Sequence, residues 1–145
     1  MSAGVAEERL TVLVVDDFDD GRLILRRMLE SRGFDVSEAS NGEEAVAAVR
    51  RNCPDLILMD LNMPRMDGLT TARKIRECKE LCADVPMVAV TAYDTYGMKE
   101  AAEEAGCDAY VAKPIDQTEF ERTLRRLLPS WFWKMTADDA ARGGL

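Results

Sequence analysis

The sequence predicts a single α/β domain, with a parallel β-sheet covered by helices on both faces. Three observations carry this. Four short apolar runs each end on polar residues: Leu10 to Val15 on Asp16-Asp17, Leu56 to Met59 on Asp60, Met87 to Val90 on Thr91, and Ala109 to Ala112 on Lys113-Pro114. Segments with apolar residues at helical spacing alternate with these runs. At 145 residues, 47% of them hydrophobic, the chain has the length and composition of one globular domain with a real core. Such alternation of buried strands and helices is the signature of a parallel sheet.

The elements follow in order. After the first strand, Ile24, Leu25, Met28 and Leu29 recur at helical spacing, and Gly33 supplies a C-terminal stop. Asp35 to Ala39 alternates weakly, as an edge strand would. Asn41-Gly42 leads into a helix over Glu43 to Arg51 with Ala45, Val46 and Val49 inward, and Pro54 breaks the chain before the strand ending at Asp60. Asp67-Gly68 opens a helix that turns Leu69, Ala72 and Ile75 to the core. Pro86 precedes the strand ending at Thr91. A less apolar helix is expected from about Tyr96 to Ala105, closed by Gly106. The last helix starts near Asp116, carries Phe120, Leu124, Leu127 and Leu128 on one stripe, and ends at Pro129.

The organisation is then residues 1–9 as a mobile N-terminus, 10–128 as the domain, and 129–145 as an extension whose last ten residues are also mobile. The extension holds Ser130-Trp131-Phe132-Trp133. These aromatics are expected to pack back on the domain; a partner or homodimer contact is the alternative.

Composition excludes several classes. The net charge is −8, which disfavours nonspecific nucleic-acid binding. Arg26-Arg27, Arg50-Arg51 and Arg125-Arg126 lie near helix ends and read as solvated faces. No apolar stretch approaches the roughly 20 residues that span a bilayer, and residues 1–9 lack the apolar core of a signal peptide. A cytoplasmic protein is the expectation. Histidine is absent, which removes Ser-His-Asp and Cys-His catalysis and every His-ligated metal site. Cys53, Cys78, Cys82 and Cys107 form no Cys-x-x-Cys pair, so a structural zinc site is not expected. Cys78 and Cys82 are spaced to share a helix face. All four are read as reduced thiols acting as small apolar residues.

Open α/β sheets bind ligands at the carboxyl ends of their strands. If the strands are parallel neighbours, Asp16, Asp17, Asp60, Thr91 and Lys113 converge there. Three carboxylates this close repel unless a cation intervenes. Mg²⁺ takes oxygen ligands, keeps several waters, and commonly uses one or two carboxylates plus a phosphate. The backbone carbonyl of Asn62, in the turn after Asp60, is a further candidate ligand. An aspartyl carboxylate can attack a phosphoryl group, and Lys113 and the Thr91 hydroxyl would supply charge and a hydrogen bond to its oxygens. The proline after Lys113 sets a turn, with a cis bond as one option.

These residues resemble the response-regulator receiver domains of two-component signalling, the CheY-like group. The motifs are Val14-Val15-Asp16-Asp17, Asp60-Leu61-Asn62-Met63-Pro64-Arg65-Met66-Asp67-Gly68, Thr91-Ala92 and Ala112-Lys113-Pro114. The resemblance runs from about Leu10 to Leu128. It implies a flavodoxin-like, five-stranded parallel sheet of order 2-1-3-4-5 flanked by five helices, the order for which CheY is a standard example. It implies Asp60 as phosphoacceptor and Mg²⁺ (or Mn²⁺) held by Asp17, Asp60 and the Asn62 carbonyl, with Asp16 acting through water. Thr91 and Lys113 would bind the phosphoryl group, and Tyr110 would be the switch aromatic. Tyr93 matches a variable position that could tune water access, and Asp19 and Asp20 add acidity beside the site. The donor would be a histidine kinase or a histidine phosphotransfer protein of a phosphorelay, since this sequence has no histidine of its own. A downstream protein would bind the face formed by the fourth helix, fifth strand and fifth helix. With no output domain encoded after Leu128, direct partner binding and excision from a longer chain are both open.

Two other readings compete. Asp17-Phe18-Asp19 has the Asp-x-Asp form of haloacid-dehalogenase-like phosphatases, with Asp17 as nucleophile and Asp19 as acid/base. That leaves Asp60 unexplained, and no acidic pair follows Lys113 at a strand end. A receiver-fold scaffold independent of phosphorylation would leave the intact constellation without a use. Neither accounts for the residues as the receiver reading does, which is of a signalling module rather than a turnover enzyme.

Overall fold

A computed structural model describes residues 9–63, 67–78, 82, 84–92 and 97–133. The chain alternates strand and helix: β1 (Thr11–Val15), α1 (Asp19–Glu30), β2 (Asp35–Ala39), α2 (Gly42–Arg51), β3 (Leu56–Asp60), α3 (Gly68–Arg76), β4 (Met87–Thr91), α4 (Met98–Ala105), β5 (Ala109–Ala112) and α5 (Gln117–Leu127). The five strands are all parallel, in the order β2-β1-β3-β4-β5. That is the order the family resemblance implied.

Side-chain alternation along each strand divides the core into two layers. Leu13, Val15, Ile57, Met59, Met87 and Ala89 face α2, α3 and α4. Val12, Val14, Leu56, Leu58, Val88 and Val90 face α1 and α5, where they meet Leu25, Leu29, Phe120 and Leu124. β1, β3 and β4 are buried on both faces, which is why their sequences read as continuous apolar runs. β2 exposes Asp35, Ser37 and Glu38, as an edge strand does.

The helix boundaries have local causes. Asn41, Asp67 and Asp116 each accept a hydrogen bond from the backbone N–H three residues on, capping α2, α3 and α5. At α2 the Glu44 carboxylate also reaches back to the Ser40 N–H and hydroxyl at 2.8 Å. Gly33, at φ 95°, adopts the left-handed conformation that turns the chain from α1 into β2. The helix expected from Tyr96 is described from Met98, preceded by Gly97; Tyr93 and Tyr96 lie outside the described residues, as do Pro64, Arg65 and Met66 of the longest motif. So do residues 1–8 and 134–145. Among the described residues, no helix is long and apolar enough to cross a membrane.

Three features differ from or extend the sequence reading. Ile24, expected on the inner stripe of α1, is 60% exposed, and only Leu25 and Leu29 of that helix are buried. The buried stripe is therefore narrower than the run of apolar residues. Cys53 and Cys82, expected as reduced thiols, form a disulfide. β3 and β4 are parallel neighbours, so the connections entering them lie side by side and bring these Cα atoms to 5.7 Å. α3 ends at Arg76; the Cys82 N–H donates to the Cys78 carbonyl at 3.1 Å, and residues 79–81, on which the expected shared helix face of Cys78 and Cys82 falls, lie outside the described residues. Past α5 the chain makes a helical turn over 130–133 and packs back: Phe132 is fully buried and stacks on Phe34, with ring centroids 4.6 Å apart. Trp133 is buried beside them under the Arg125 guanidinium, while Trp131 is 45% exposed.

Candidate functional site

Strand register assembles the site. Val15 pairs with Met59, so Asp16 and Asp60, one residue further along β1 and β3, emerge side by side. Thr91 pairs with Ala112, so Lys113 leaves the sheet next to Thr91, and its backbone N–H donates to the Thr91 carbonyl at 2.8 Å. The predicted residues Asp16, Asp17, Asp60, Thr91 and Lys113 thus all stand at the carboxyl end of the sheet. The Lys113-Pro114 bond is cis.

One carboxylate oxygen from each of Asp16, Asp17 and Asp60 lies within 4.8 Å of the others. Asp16 and Asp60 are buried and Asp17 is exposed, so the cluster opens to solvent on one side. Each buried carboxylate is oriented by a backbone donor two residues on. Asp16 Oδ1 accepts the Phe18 N–H at 2.9 Å, and Asp60 Oδ1 accepts the Asn62 N–H at 2.9 Å. Lys113 Nζ lies 3.3 Å from Asp16 Oδ2 and 3.9 Å from Asp60 Oδ2.

One ammonium does not balance three carboxylates. Burial pushes the Asp60 carboxyl up to about 6, and the neighbouring Asp16 charge adds to that; the Asn62 N–H and Lys113 pull the other way. Buried, clustered carboxylate oxygens with excess negative charge and an open side are what a hard divalent cation binds. Asp16, Asp17 and Asp60 fit that role by position and chemistry.

Two glycines lie close against the site, a role not expected from the sequence. A Cβ on Gly68 would stand 2.4 Å from the Asp60 carbonyl oxygen and 2.6 Å from Leu61 Cα, so only glycine lets the start of α3 fold against the Asp60 turn. A Cβ on Gly21 would stand 3.1 Å from Asp16 Oδ2. Their signal in the sequence is a glycine on the first turn of a helix beside an acidic strand end.

Thr91 ends β4 fully buried, and Tyr110 sits half-buried in β5 against the layer formed with α4. Asp19, the acid/base of the competing phosphatase reading, is 85% exposed and paired with Arg22 at 2.7 Å. The clustered carboxylates are those of Asp16, Asp17 and Asp60.

Comparison with known proteins gives a consistent picture. The family model for the response regulator receiver domain matches residues 12–125. The chain is 34% identical over 118 residues to the polar-differentiation response regulator DivK of Brucella anthropi, covering 81% of this chain and 95% of DivK. Among solved structures, the chemotaxis protein CheY4 of Vibrio cholerae matches with a TM-score of 0.77 at 28% identity, over 83% of this chain and 99% of CheY4. The receiver domain of a sensor histidine kinase from Pseudomonas aeruginosa, solved with a magnesium ion coordinated in its active-site cleft, matches with a TM-score of 0.75 at 34% identity, over 82% of this chain and 97% of that domain.

Proposed function

The chain belongs to the response-regulator receiver family, and on that premise we propose that it receives a phosphoryl group on Asp60 from a histidine kinase or histidine phosphotransfer protein. The observation that carries this is the cluster of Asp16, Asp17 and Asp60 oxygens with Lys113 Nζ alongside. Asp60 Oδ attacks phosphorus, the O–P bond forms, and the donor nitrogen leaves with the electrons of the bond that breaks. Asp60 acts as nucleophile in its ionised form. Lys113 supports that form and then meets a phosphoryl oxygen, with the Thr91 hydroxyl meeting another.

Asp17, Asp60 and the Asn62 carbonyl would hold Mg²⁺ (or Mn²⁺), with Asp16 acting through water. The ion would neutralise negative charge on the phosphoryl oxygens. Movement of Thr91 toward the phosphoryl group would leave space for Tyr110 to turn inward. The face of α4, β5 and α5 would then change its affinity for a downstream protein, which is how a switch with two packed states conveys a local charge event. The setting proposed is the cytoplasm, with no membrane or nucleic-acid contact of its own; a homodimer is a second mode of output.

The test is phosphorylation with acetyl phosphate and Mg²⁺, read by intact-mass and peptide mass spectrometry. One phosphoryl group on Asp60 is expected, absent in Asp60→Asn and absent in EDTA. Undiminished labelling of Asp60→Asn would refute the assignment.

A further inference from the structure

The acidic turn that follows β1 is held from below by one arginine. Arg22, on the first turn of α1, has a side chain only 15% exposed and places all three arms of its guanidinium. Nη1 donates to the Asp16 carbonyl oxygen at 2.8 Å, Nε to Glu38 Oε1 of β2 at 2.7 Å, and Nη2 to Asp19 Oδ1 at 2.7 Å. The Asp16 carbonyl belongs to the peptide plane that joins Asp16 to Asp17. Its direction sets the direction in which Asp17 leaves the strand. The other side of the turn is fixed by the Asp16 carboxylate on the Phe18 N–H and by the Asp16 N–H on the Ala39 carbonyl at 3.1 Å. The one peptide plane between the two acidic residues is therefore set by Arg22.

We infer that Arg22 is a positioning residue for the divalent cation site, orienting the Asp16–Asp17 peptide so that Asp17 reaches the ion directly and Asp16 reaches it through water. The inference rests on the reading that Asp17 and Asp60 hold that ion, with Asp16 acting through water. Arg22 makes no contact with the ion's ligand oxygens; it acts through the backbone and through its two acidic partners. Glu38 and Asp19 offset its charge, so an arginine can stand behind an acidic site without cancelling it. The planar fork matters, because three acceptors from three elements are met at once, which an ammonium cannot do with the same geometry.

The sign of the effect separates positioning from simple electrostatics. Removing a positive charge near a dication site, which takes Arg22 from Asp19 and leaves Glu38 to Arg26 alone, would by charge alone tighten Mg²⁺ binding. Loss of a positioning partner would weaken it. Outer partners of metal ligands typically contribute about 10- to 100-fold in affinity. For Arg22→Gln a loss of about tenfold is expected, at the low end because the contact runs through the backbone. Arg22→Lys keeps the charge and is expected to weaken binding by a similar factor.

The test is Mg²⁺ titration calorimetry on the full chain, without phosphoryl donor. It compares the parent, Arg22→Gln, Arg22→Lys and an Asp17→Asn control, with unfolding temperatures in EDTA. Weakened Mg²⁺ affinity in both Arg22 variants, with unfolding temperatures close to the parent's, supports the inference. Unchanged or tighter affinity overturns it, as does a lowered unfolding temperature with affinity intact, which would mark a purely structural clip. If Arg22→Gln does not fold, Arg22→Lys alone decides by the same criteria. If the parent binds no Mg²⁺, or Asp17→Asn binds as the parent does, the cation-site reading fails and the inference with it.

Discussion

As the proposed phosphoacceptor, Asp60 carries opposing demands. It must be buried enough to exclude competing water and ionised enough to attack. With its carboxyl pushed up to about 6, from an ordinary value of 3.8, the folded protein holds that proton more tightly than the unfolded chain does. Between about pH 4 and pH 6 the native state therefore binds more protons, and this group's contribution to stability falls as pH rises through that window. Its ionisation at pH 7 costs the metal-free fold about 3 kcal/mol, roughly two pKa units of differential protonation. Asp60→Asn should therefore stabilise the protein in EDTA, little at pH 4 and by up to about 3 kcal/mol at pH 7. Saturating Mg²⁺ should shrink the difference by stabilising the parent. Urea unfolding of both proteins at pH 4, 5.5 and 7 checks this; a gap that does not widen with pH would mean that Asp60 is not held up by its surroundings.

At the scale of elements, α3 is tied to the site more closely than its sequence suggests. Its first residue, Gly68, donates its N–H to the Leu61 carbonyl at 3.3 Å, and a Cβ there would overlap the Asp60 carbonyl. Gly68→Ala must move the helix or the Asp60 turn. A stability loss of about 2 kcal/mol is expected, within the usual range for overpacking. A fall of about tenfold or more in the labelling rate of Asp60 is expected as well, since misplacing a reacting group by about 1 Å can cost a hundredfold. A denaturant midpoint and a labelling time course measure the two; normal labelling with lowered stability would uncouple helix from site. The strands, caps and site carboxylates were legible because each leaves a local mark: an apolar run, an Asn or Asp before a helix, an acid at a strand end. Gly68, Gly21 and Arg22 were not. Their roles depend on how closely two elements approach, which spacing along the chain does not encode. Ile24 was misread for a related reason, since helical periodicity does not say how wide a stripe the neighbours cover.

For the whole molecule, the two ends of the sheet do different work. The carboxyl end gathers the Asp16, Asp17 and Asp60 carboxylates of the proposed site. The opposite end closes the core, with the Cys53–Cys82 disulfide and with Arg76, which donates to the carbonyls of Val85 and Gly106 and to Asp108. The cysteine pairing was illegible because it follows from strand order, and the order came from the resemblance rather than from the cysteines. The aromatic residues after α5 belong to that closing end. Phe34 lies immediately before β2, and Phe132 stacks on it, fully buried among residues of the α1 and α5 layer. Phe132→Ala should therefore cost about 3–5 kcal/mol, the range for a buried phenylalanine, which is a large part of the total stability of a domain this size. Trp131→Ala, at an exposed neighbouring position, should stay within about 0.5 kcal/mol. Because Phe132 is far along the strands from Asp60, the labelling rate of Phe132→Ala well below its unfolding temperature should match the parent's. Urea unfolding and acetyl phosphate labelling of the two variants measure this. Equal, small stability losses would make the aromatic turn an appendage. A large loss confined to Phe132 would make the segment after α5 part of the domain's core, extending the folded unit beyond the 12–125 span of the family match.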